Sequence, residues 1–334
     1  MAKVNIPFLQ TGTLVVGNRL LDLEDRSVQA WQDRPSSLTH GHRACQGCAE
    51  ALAARWVLDT AMEATGGKIM VANATGCLEV FSTLYPESAW RIPWVHSLFA
   101  NSASVATGIA AVNRARGRSD IRVIAQGGDG GTADIGMACL SGMFERNDDV
   151  LYVCYDNQGY MNTGVQRSGA TPPSARTATT PAVGADPGAP FGQGKQVPKI
   201  AMAHDIPYVA TASVADLRDL EAKVRTAMSH RGARYLHILV TCPLGWGTKS
   251  ADSIKMARLA VRSGLFPVFE AVYGKVVAST PIRERVPVEE YLRPQRRFAH
   301  LFGPNADEVA LERLRRMADR NIKEYNLQGE GVPA

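Results

Sequence analysis

Ile121-Arg122-Val123-Ile124-Ala125-Gln126-Gly127-Gly128-Asp129-Gly130-Gly131-Thr132-Ala133-Asp134-Ile135-Gly136 reads as a strand, a glycine-rich turn and the start of a helix. A second apolar run, 149–155, follows and ends in Asp156-Asn157. If the two runs are adjacent parallel strands, Asp129 and Asn157 share one carboxyl edge, where ligands of open α/β sheets bind. Backbone amides of such a turn can approach phosphate oxygens, and a helix start adds a favourable dipole. A carboxylate, an amide oxygen and a nearby backbone carbonyl are hard ligands suited to Mg²⁺ bridging a diphosphate. The turn has neither the G-x-G-x-x-G spacing of a dinucleotide site nor the G-K-[ST] ending of a P-loop. Taken singly, Asp129 is also a plausible helix cap and Asn157 a turn former.

Outward from this pair the same alternation continues. The run 49–62 is rich in strong helix formers. Residues 68–73, 208–212 and 235–241 read as strands, with helices over 100–116, from Gly131 to about Arg146, and over 214–230. Short apolar strands alternating with helices predict an α/β fold, a mostly parallel sheet with helices on both faces. Residues 1–37 read as an N-terminal arm, 38–248 as the main domain and 249–334 as a C-terminal helical appendage. Within the last, helices are expected near 250–263, 288–301 and 306–325, with a hairpin around 268–279. Residues 163–194, dominated by Gly, Pro, Ala, Ser and Thr, form a loop too long for a plain connection and are read as functional.

Composition narrows the function classes. The 334 residues are 45% hydrophobic and 21% charged, ordinary for a soluble globular chain. The net charge of +5 is mild and its Lys and Arg are scattered, so no nucleic-acid partner is expected. Residues 1–18 lack the pattern of a secretory signal, and no apolar run nears the ~20 residues of a membrane span. The expectation is a cytoplasmic protein without a membrane partner. Six cysteines are too sparse for a secreted disulfide framework and read better as ligands or core residues.

Cys45 and Cys48 form a C-x-x-C pair; Cys77 and Cys242 each follow a predicted strand. Four thiolates suit either a 4Fe–4S cluster or a structural Zn²⁺. A compact zinc ribbon places its second pair about 15–20 residues on, whereas Cys242 is far removed. Such scattered ligation suits a cluster built into an already folded enzyme. Cys139 and Cys154, inside a predicted helix and strand, read as core residues.

The strings 128–136 and 155–164, Tyr-Asp-Asn-Gln-Gly-Tyr-Met-Asn-Thr-Gly, resemble the thiamine-diphosphate signature of the β subunit of 2-oxoacid:ferredoxin oxidoreductases. Cys-x-x-Cys, then Gly-Cys, then Cys-Pro-x-Gly-Trp resembles that subunit's cluster-binding set. The resemblance implies a diphosphate-type thiamine fold in 38–248. It makes Asp129, Asn157 and the carbonyl of Gly159 the Mg²⁺ ligands, with Gly128, Gly130, Gly131 and Thr163 against the cofactor. Cys45, Cys48, Cys77 and Cys242 would hold one 4Fe–4S cluster, Cys77 also approaching thiamine. Glu50 and Asn162 would act in catalysis. His96 and Asn101 lie in a stretch similar to the family, and Lys195 and Arg167 are candidates for substrate or coenzyme A charges. Where the family commonly has Gly after the second Cys, this chain has Ala49.

The implied reaction is oxidative decarboxylation of a 2-oxoacid to acyl-CoA and CO₂, with electrons passed to iron–sulfur clusters. The activating Glu of thiamine enzymes would come from an α subunit, with γ and ferredoxin-like δ subunits and ferredoxin completing the complex. Pyruvate is the family's common substrate; phenylglyoxylate and other 2-oxoacids remain open. The competing readings are a non-redox thiamine carboligase or decarboxylase subunit with structural zinc, and a non-catalytic scaffold or electron-transfer module.

Overall fold

The computed structural model describes residues 36–39, 41–84, 87–303 and 306–328, and the backbone of two short strands near the N-terminus. The chain divides into two units, Met1–Pro35 and Ser36–Ala334. In the first, β1 (Phe8–Gln10) pairs antiparallel with β2 (Leu14–Val16). The rest of the stretch read as an arm up to residue 35 lies outside the described residues.

The second unit runs α1 (Ala49–Thr65), β3 (Ile69–Ala74), α2 (Cys77–Ser82), β4 (Trp94–Ser97), α3 (Ser102–Ala115), β5 (Arg122–Gly128). A π-helical turn (Gly130–Ile135) leads to α4 (Met137–Glu145), then β6 (Val150–Asp156), α5 (Val197–Ala203), β7 (Tyr208–Ser213), α6 (Leu217–Ser229) and β8 (Arg234–Leu239). After it come α7 (Pro243–Trp246), α8 (Ser253–Arg262), β9 (Phe269–Val272), β10 (Lys275–Ser279), α9 (Val288–Leu292) and α10 (Glu308–Glu324). The sheet order is β10-β9-β7-β8-β6-β5-β3-β4. All pairings from β7 to β4 are parallel; β9 and β10 add an antiparallel edge.

The central strands carry apolar side chains on both faces, which a parallel sheet needs because helices cover both. Val123, Ala125, Val150, Tyr152 and Cys154 join one core with residues of α3, α4 and α5. The alternate residues Ile124, Leu151, Val153 and Tyr155 are equally buried. They face the opposite side, where α1 packs on α6 and on β6. Trp56 of α1 ties the two helices by donating from Nε1 to the carbonyl of Leu217 at 2.9 Å.

Local chemistry departs from the expected pattern in several places. The single helix expected from Gly131 is a π-helical turn followed by α4. Gly136 sits at the joint, where any Cβ would overlap the Gly131 carbonyl. The strand β4 and the helices α2 and α5 were not anticipated. Helix α2 has only six residues, too few to show a period, and β4 is a four-residue edge strand with two exposed side chains. Helix α5 opens with a proline in its first turn. The expected helix 288–301 is instead α9 and a 3₁₀ segment, Arg296–Phe302, because Pro294 interrupts it.

Residues 249–334, expected as an appendage, fall in the same compact unit as the sheet. Trp246, Met256, Leu292, Phe298, Leu301, Leu311 and Leu314 form a second core. The expected hairpin is β9–β10, joined to β7. Leu292→Ala empties a fully buried site in this second core and is expected to cost about 2–5 kcal/mol. Urea unfolding followed by circular dichroism and by tryptophan fluorescence should show one coincident transition, shifted to lower urea. A separate, earlier transition of the C-terminal helices would contradict the integrated core.

Candidate active site

Strands β5 and β6 pair in the register Gly128↔Tyr155, so Asp129 and Asn157 follow the two strand ends on one edge. Both are buried, and the Asn157 amide N–H donates to Asp129 Oδ1 at 3.3 Å. The other carboxylate oxygen accepts from the buried Ser168 hydroxyl. The Asn157 side-chain amide donates to Glu50 Oε2 at 3.3 Å, while Asn157 Oδ1 is buried without a hydrogen-bond partner. The Asn157 carbonyl accepts from Trp246 Nε1 at 2.8 Å. Its successor Gln158 has φ 67°, a left-handed conformation costing a non-glycine residue on the order of 1 kcal/mol. Asp156 Oδ1 accepts from the Gln158 backbone amide at 2.9 Å, and Arg297 donates to Gln158 Oε1, holding the turn.

A cleft at this edge is lined by Gly128, Asp129, Gly130, Gly131, Asn157, Gly159, Asn162 and Thr163, together with Glu50 and Cys77. Glycine at 130 has a steric cause: a Cβ there would overlap the ring of Tyr160. At Gly131 a Cβ would lie 3.3 Å from the Phe99 carbonyl. Tyr160 donates to Asp134 Oδ2 at 3.0 Å, as does the Gly169 amide at 2.8 Å, while Lys195 Nζ sits 2.7 Å from Asp134 Oδ1. The long loop 163–194 is therefore pinned to the motif at Asp129 through Ser168 and at Asp134 through Gly169.

The four cysteines singled out by spacing border a common cavity. Cys45, Cys48, Cys77 and Cys242 line one cavity of about 240 Å³, whose walls include Glu50, Asn157 and Asn162. A single water occupies about 30 Å³, so this is room for a multi-atom group. As placed, no three His, Cys, Asp or Glu side chains among the described residues are close enough to hold one metal ion. All six cysteines are free thiols. The C-x-x-C turn is closed by the Cys48 amide donating to the Cys45 carbonyl at 3.0 Å. Gly47 lies at φ 73°, and a Cβ there would overlap the Ser250 carbonyl. The Gly245 amide donates to Cys242 Sγ at 3.3 Å.

Burial, and then the neighbouring Glu50, push the Cys48 thiol up to about 12. The same two causes raise Cys77, and burial raises Cys242. Burial lifts the Glu50 carboxyl to about 7, against the hydrogen bonds of Asn157 and the Leu78 amide. Burial, then Asp156, hold Asp129 well above the ordinary carboxyl range. Buried acids and thiols collected without a cation favour their neutral forms. Each is the donor type a metal centre needs, and a cation would reverse the balance. The unpartnered Asn157 Oδ1 fits a Mg²⁺ ligand in the same way.

Other residues singled out from the sequence fall differently. Glu50, on a helix and open to reading as a solvated charge, is buried between both cavities. Asn162 and Thr163 are exposed at the cleft, Thr163 donating to Gln166 Oε1 at 2.6 Å. His96 is 2.8 Å from Thr75 Oγ1, and Asn101 precedes α3 without capping it through its side chain. Lys195 is taken by Asp134, and Arg167 lies over the Phe191 ring at 4.5 Å. Cys154 is buried in β6 and Cys139 is half-buried against the same core. Ala49 is the first helical residue of α1, a position that glycine is not needed to fill. Sequence reasoning did not assign Ser168, Asp134, Trp246 or Arg297 these supporting contacts; only Asp134 and Trp246 lay inside quoted motifs.

Residues 74–238 match the family model of the thiamine pyrophosphate enzyme C-terminal TPP-binding domain. The chain is 45% identical over 292 residues to pyruvate synthase subunit PorB of Methanosarcina barkeri, covering 87% of this chain and 97% of that one. The chain belongs to the β-subunit family of 2-oxoacid:ferredoxin oxidoreductases. Ketoisovalerate oxidoreductase subunit VorB of Pyrococcus horikoshii is 38% identical over 292 residues, covering 84% of this chain and 92% of that one. A solved 2-oxoglutarate:ferredoxin oxidoreductase from Magnetococcus marinus shares the fold, with TM-score 0.53 at 24% identity over 67% of this chain and 79% of that one. By its likeness to the PorB and VorB subunits, this chain is a subunit of an oxidoreductase that works with other subunits. No helix among the described residues is long and apolar enough to cross a membrane.

Gly130→Ala should destabilise the fold by about 1–3 kcal/mol, because the new methyl meets Tyr160. Combining it with Tyr160→Ala should recover part of the loss, a coupling readable in a double-mutant cycle. Strict additivity of the two would refute the steric account.

Proposed function

We propose that this β subunit holds thiamine diphosphate through Mg²⁺ at the Asp129–Asn157 edge and one 4Fe–4S cluster in the cavity of Cys45, Cys48, Cys77 and Cys242. Together with an α subunit, and with further electron-transfer subunits, it would oxidise a 2-oxoacid to acyl-CoA and CO₂. The observation that carries the reading is the shared wall: Glu50, Cys77, Asn157 and Asn162 line both cavities. A thiamine-only enzyme has no use for four thiols set against the cofactor cleft. The named relatives cover both pyruvate and ketoisovalerate enzymes, which supports a 2-oxoacid of small or branched side chain as the substrate. A structural zinc in place of the cluster is the competing reading.

When bound, thiamine diphosphate supplies the carbanion chemistry of decarboxylation and the cluster accepts electrons. The chain's own residues do the positioning. Asp129 and Asn157 Oδ1, with the carbonyl of Gly159, would hold the metal. Gly128, Gly130 and Gly131 leave the edge free of side chains where the diphosphate would lie. Glu50 fixes the Asn157 amide so that its oxygen, rather than its nitrogen, is left for the metal. Asn162 and Thr163 face the open side, where substrate would enter. The acid needed against the aminopyrimidine ring would come from the α subunit.

Anaerobic metal analysis, visible absorption and activity with a 2-oxoacid panel and a viologen acceptor test the reading. Iron at cluster stoichiometry and turnover only in the presence of the α subunit are expected. Stoichiometric zinc without iron would overturn the oxidoreductase assignment of this chain's cysteines. Asp129→Asn should weaken thiamine diphosphate and Mg²⁺ binding about 10–100-fold while leaving the iron content unchanged. Cys242→Ser should do the reverse.

A further inference from the structure

Asp156 stands directly before Asn157 but does not line the cofactor cleft. It borders a separate cavity of about 100 Å³, shared with His237, Thr211 and Lys195. Strand register brings Asp156 and His237 together. Cys154 of β6 is paired with His237 of β8, so Asp156, two residues on, points to the same side of the sheet. His237 Nε2 lies 3.0 Å from Asp156 Oδ2, and Nδ1 lies 2.7 Å from the Tyr235 hydroxyl. All three side chains are buried, and the imidazole is stacked against Phe266. A carboxylate oxygen accepts, so the ring donates from Nε2 and turns Nδ1 to Tyr235.

The other oxygen of Asp156 accepts from the Gln158 backbone amide at 2.9 Å. That bond spans Asn157, whose Oδ1 is buried without a partner, and secures the left-handed Gln158 that follows. The next residue is Gly159, whose carbonyl is the third oxygen assigned to the metal. Asp156 therefore ties down the backbone between two of the three proposed ligands. It is also an electrostatic neighbour of the remaining one, since burial and then Asp156 hold the Asp129 carboxyl above its ordinary range. Arg297 lies nearby, yet its N–H groups go to Gln158 and Gln295. The donor that orients Asp156 from outside the turn is His237. Partners of this kind, one bond removed from a metal ligand, fix the ligand's aim and tune its affinity. We propose that His237 and Asp156 are positioning residues of the Asp129–Asn157 edge. They fix the turn Asn157–Gly159 from the side away from the cofactor cleft and set a second carboxylate beside the divalent cation. This role rests on the Mg²⁺ site of the proposed function.

The test uses the assembled complex carrying His237→Phe or His237→Gln. The first keeps a ring and removes the donor; the second offers an amide that can donate to Asp156 in place of Nε2. The adjoining cavity gives either side chain room. Calorimetric titration with Mg²⁺ and thiamine diphosphate should show binding about 10–100-fold weaker in His237→Phe and closer to wild type in His237→Gln. The Mg²⁺ concentration for half-maximal turnover should rise by more than kcat falls. In the cofactor-free complex, hydrogen exchange at the Gln158 amide should accelerate in the Phe variant and slow again in the Gln variant. Should the Phe variant not assemble, Tyr235→Phe removes only the hydroxyl behind Nδ1 and should shift binding and exchange in the same direction, less strongly. Wild-type affinity and exchange in the Phe variant would overturn the proposal. So would equal losses in the Phe and Gln variants that track a common fall in thermal stability. Asp129→Asn separates the two levels. If it weakens binding while His237→Phe does not, the metal edge stands and the positioning pair falls. If it too leaves binding intact, the metal edge itself is refuted, and the pair's role with it.

Discussion

The pairing of β5 with β6 sets everything else in the site. Parallel strands in the register Gly128↔Tyr155 end together, so the residue after each strand, Asp129 and Asn157, meets its counterpart without any loop having to carry it there. That register is enforced by burial on both faces: a slip of one residue would exchange the sides to which Tyr152 and Val153 point. The cofactor edge therefore inherits the rigidity of the most buried strands in the molecule. The cysteine cavity depends on the same edge, because Cys242 follows β8, which pairs with β6 on its other side.

This geometry has an electrostatic cost. Asp129, Asp156 and Glu50 are all buried around Asn157. Asp156 is matched by His237 at 3.0 Å, itself 2.7 Å from the Tyr235 hydroxyl. Asp129 and Glu50 have only neutral donors. Removing a charged carboxylate from water without a cation costs several kcal/mol, which the neutral form avoids. The buried carboxyls at this edge are thus suited to neighbouring positive charge, and the rest of the fold holds them around Asn157. Trp246 and Arg297 contribute from the C-terminal core, so residues far along the chain brace the turn at Gln158.

Much of this was legible in the sequence. The strand-turn-helix pattern at Gly128–Gly131 and the later Asn157 announced a shared edge, and cysteine spacing announced a second set of donors. The parallel α/β sheet followed from alternation of apolar runs with helices. What escaped were features that depend on contacts between distant segments. The burial of Glu50 cannot be read from its helix alone, because most of α1 is buried, its polar residues Asp59 and Thr60 included. The π-helical turn brings Gly136 against the Gly131 carbonyl, a close backbone approach that leaves no periodic pattern in the sequence. The 163–194 loop has no period, yet Ser168 and Gly169 place it on Asp129 and Asp134. The C-terminal stretch read as an appendage of helices around a hairpin, while its hairpin pairs with β7 through backbone groups that any side chains would permit.

The strand order also shapes how the chain comes into being. Strand β6, seven residues with every one buried, lies between β5, which precedes it, and β8, which begins at Arg234. During synthesis the ribosome must therefore release β6 and nearly eighty further residues before its second neighbour exists. For that interval an apolar strand presents a bare row of amide and carbonyl groups, the kind of edge that pairs with other nascent chains. Fragments that stop short of Leu239 leave that edge of β6 incompletely paired, and they have also lost Cys242 and Trp246, which border the cysteine cavity and brace Asn157.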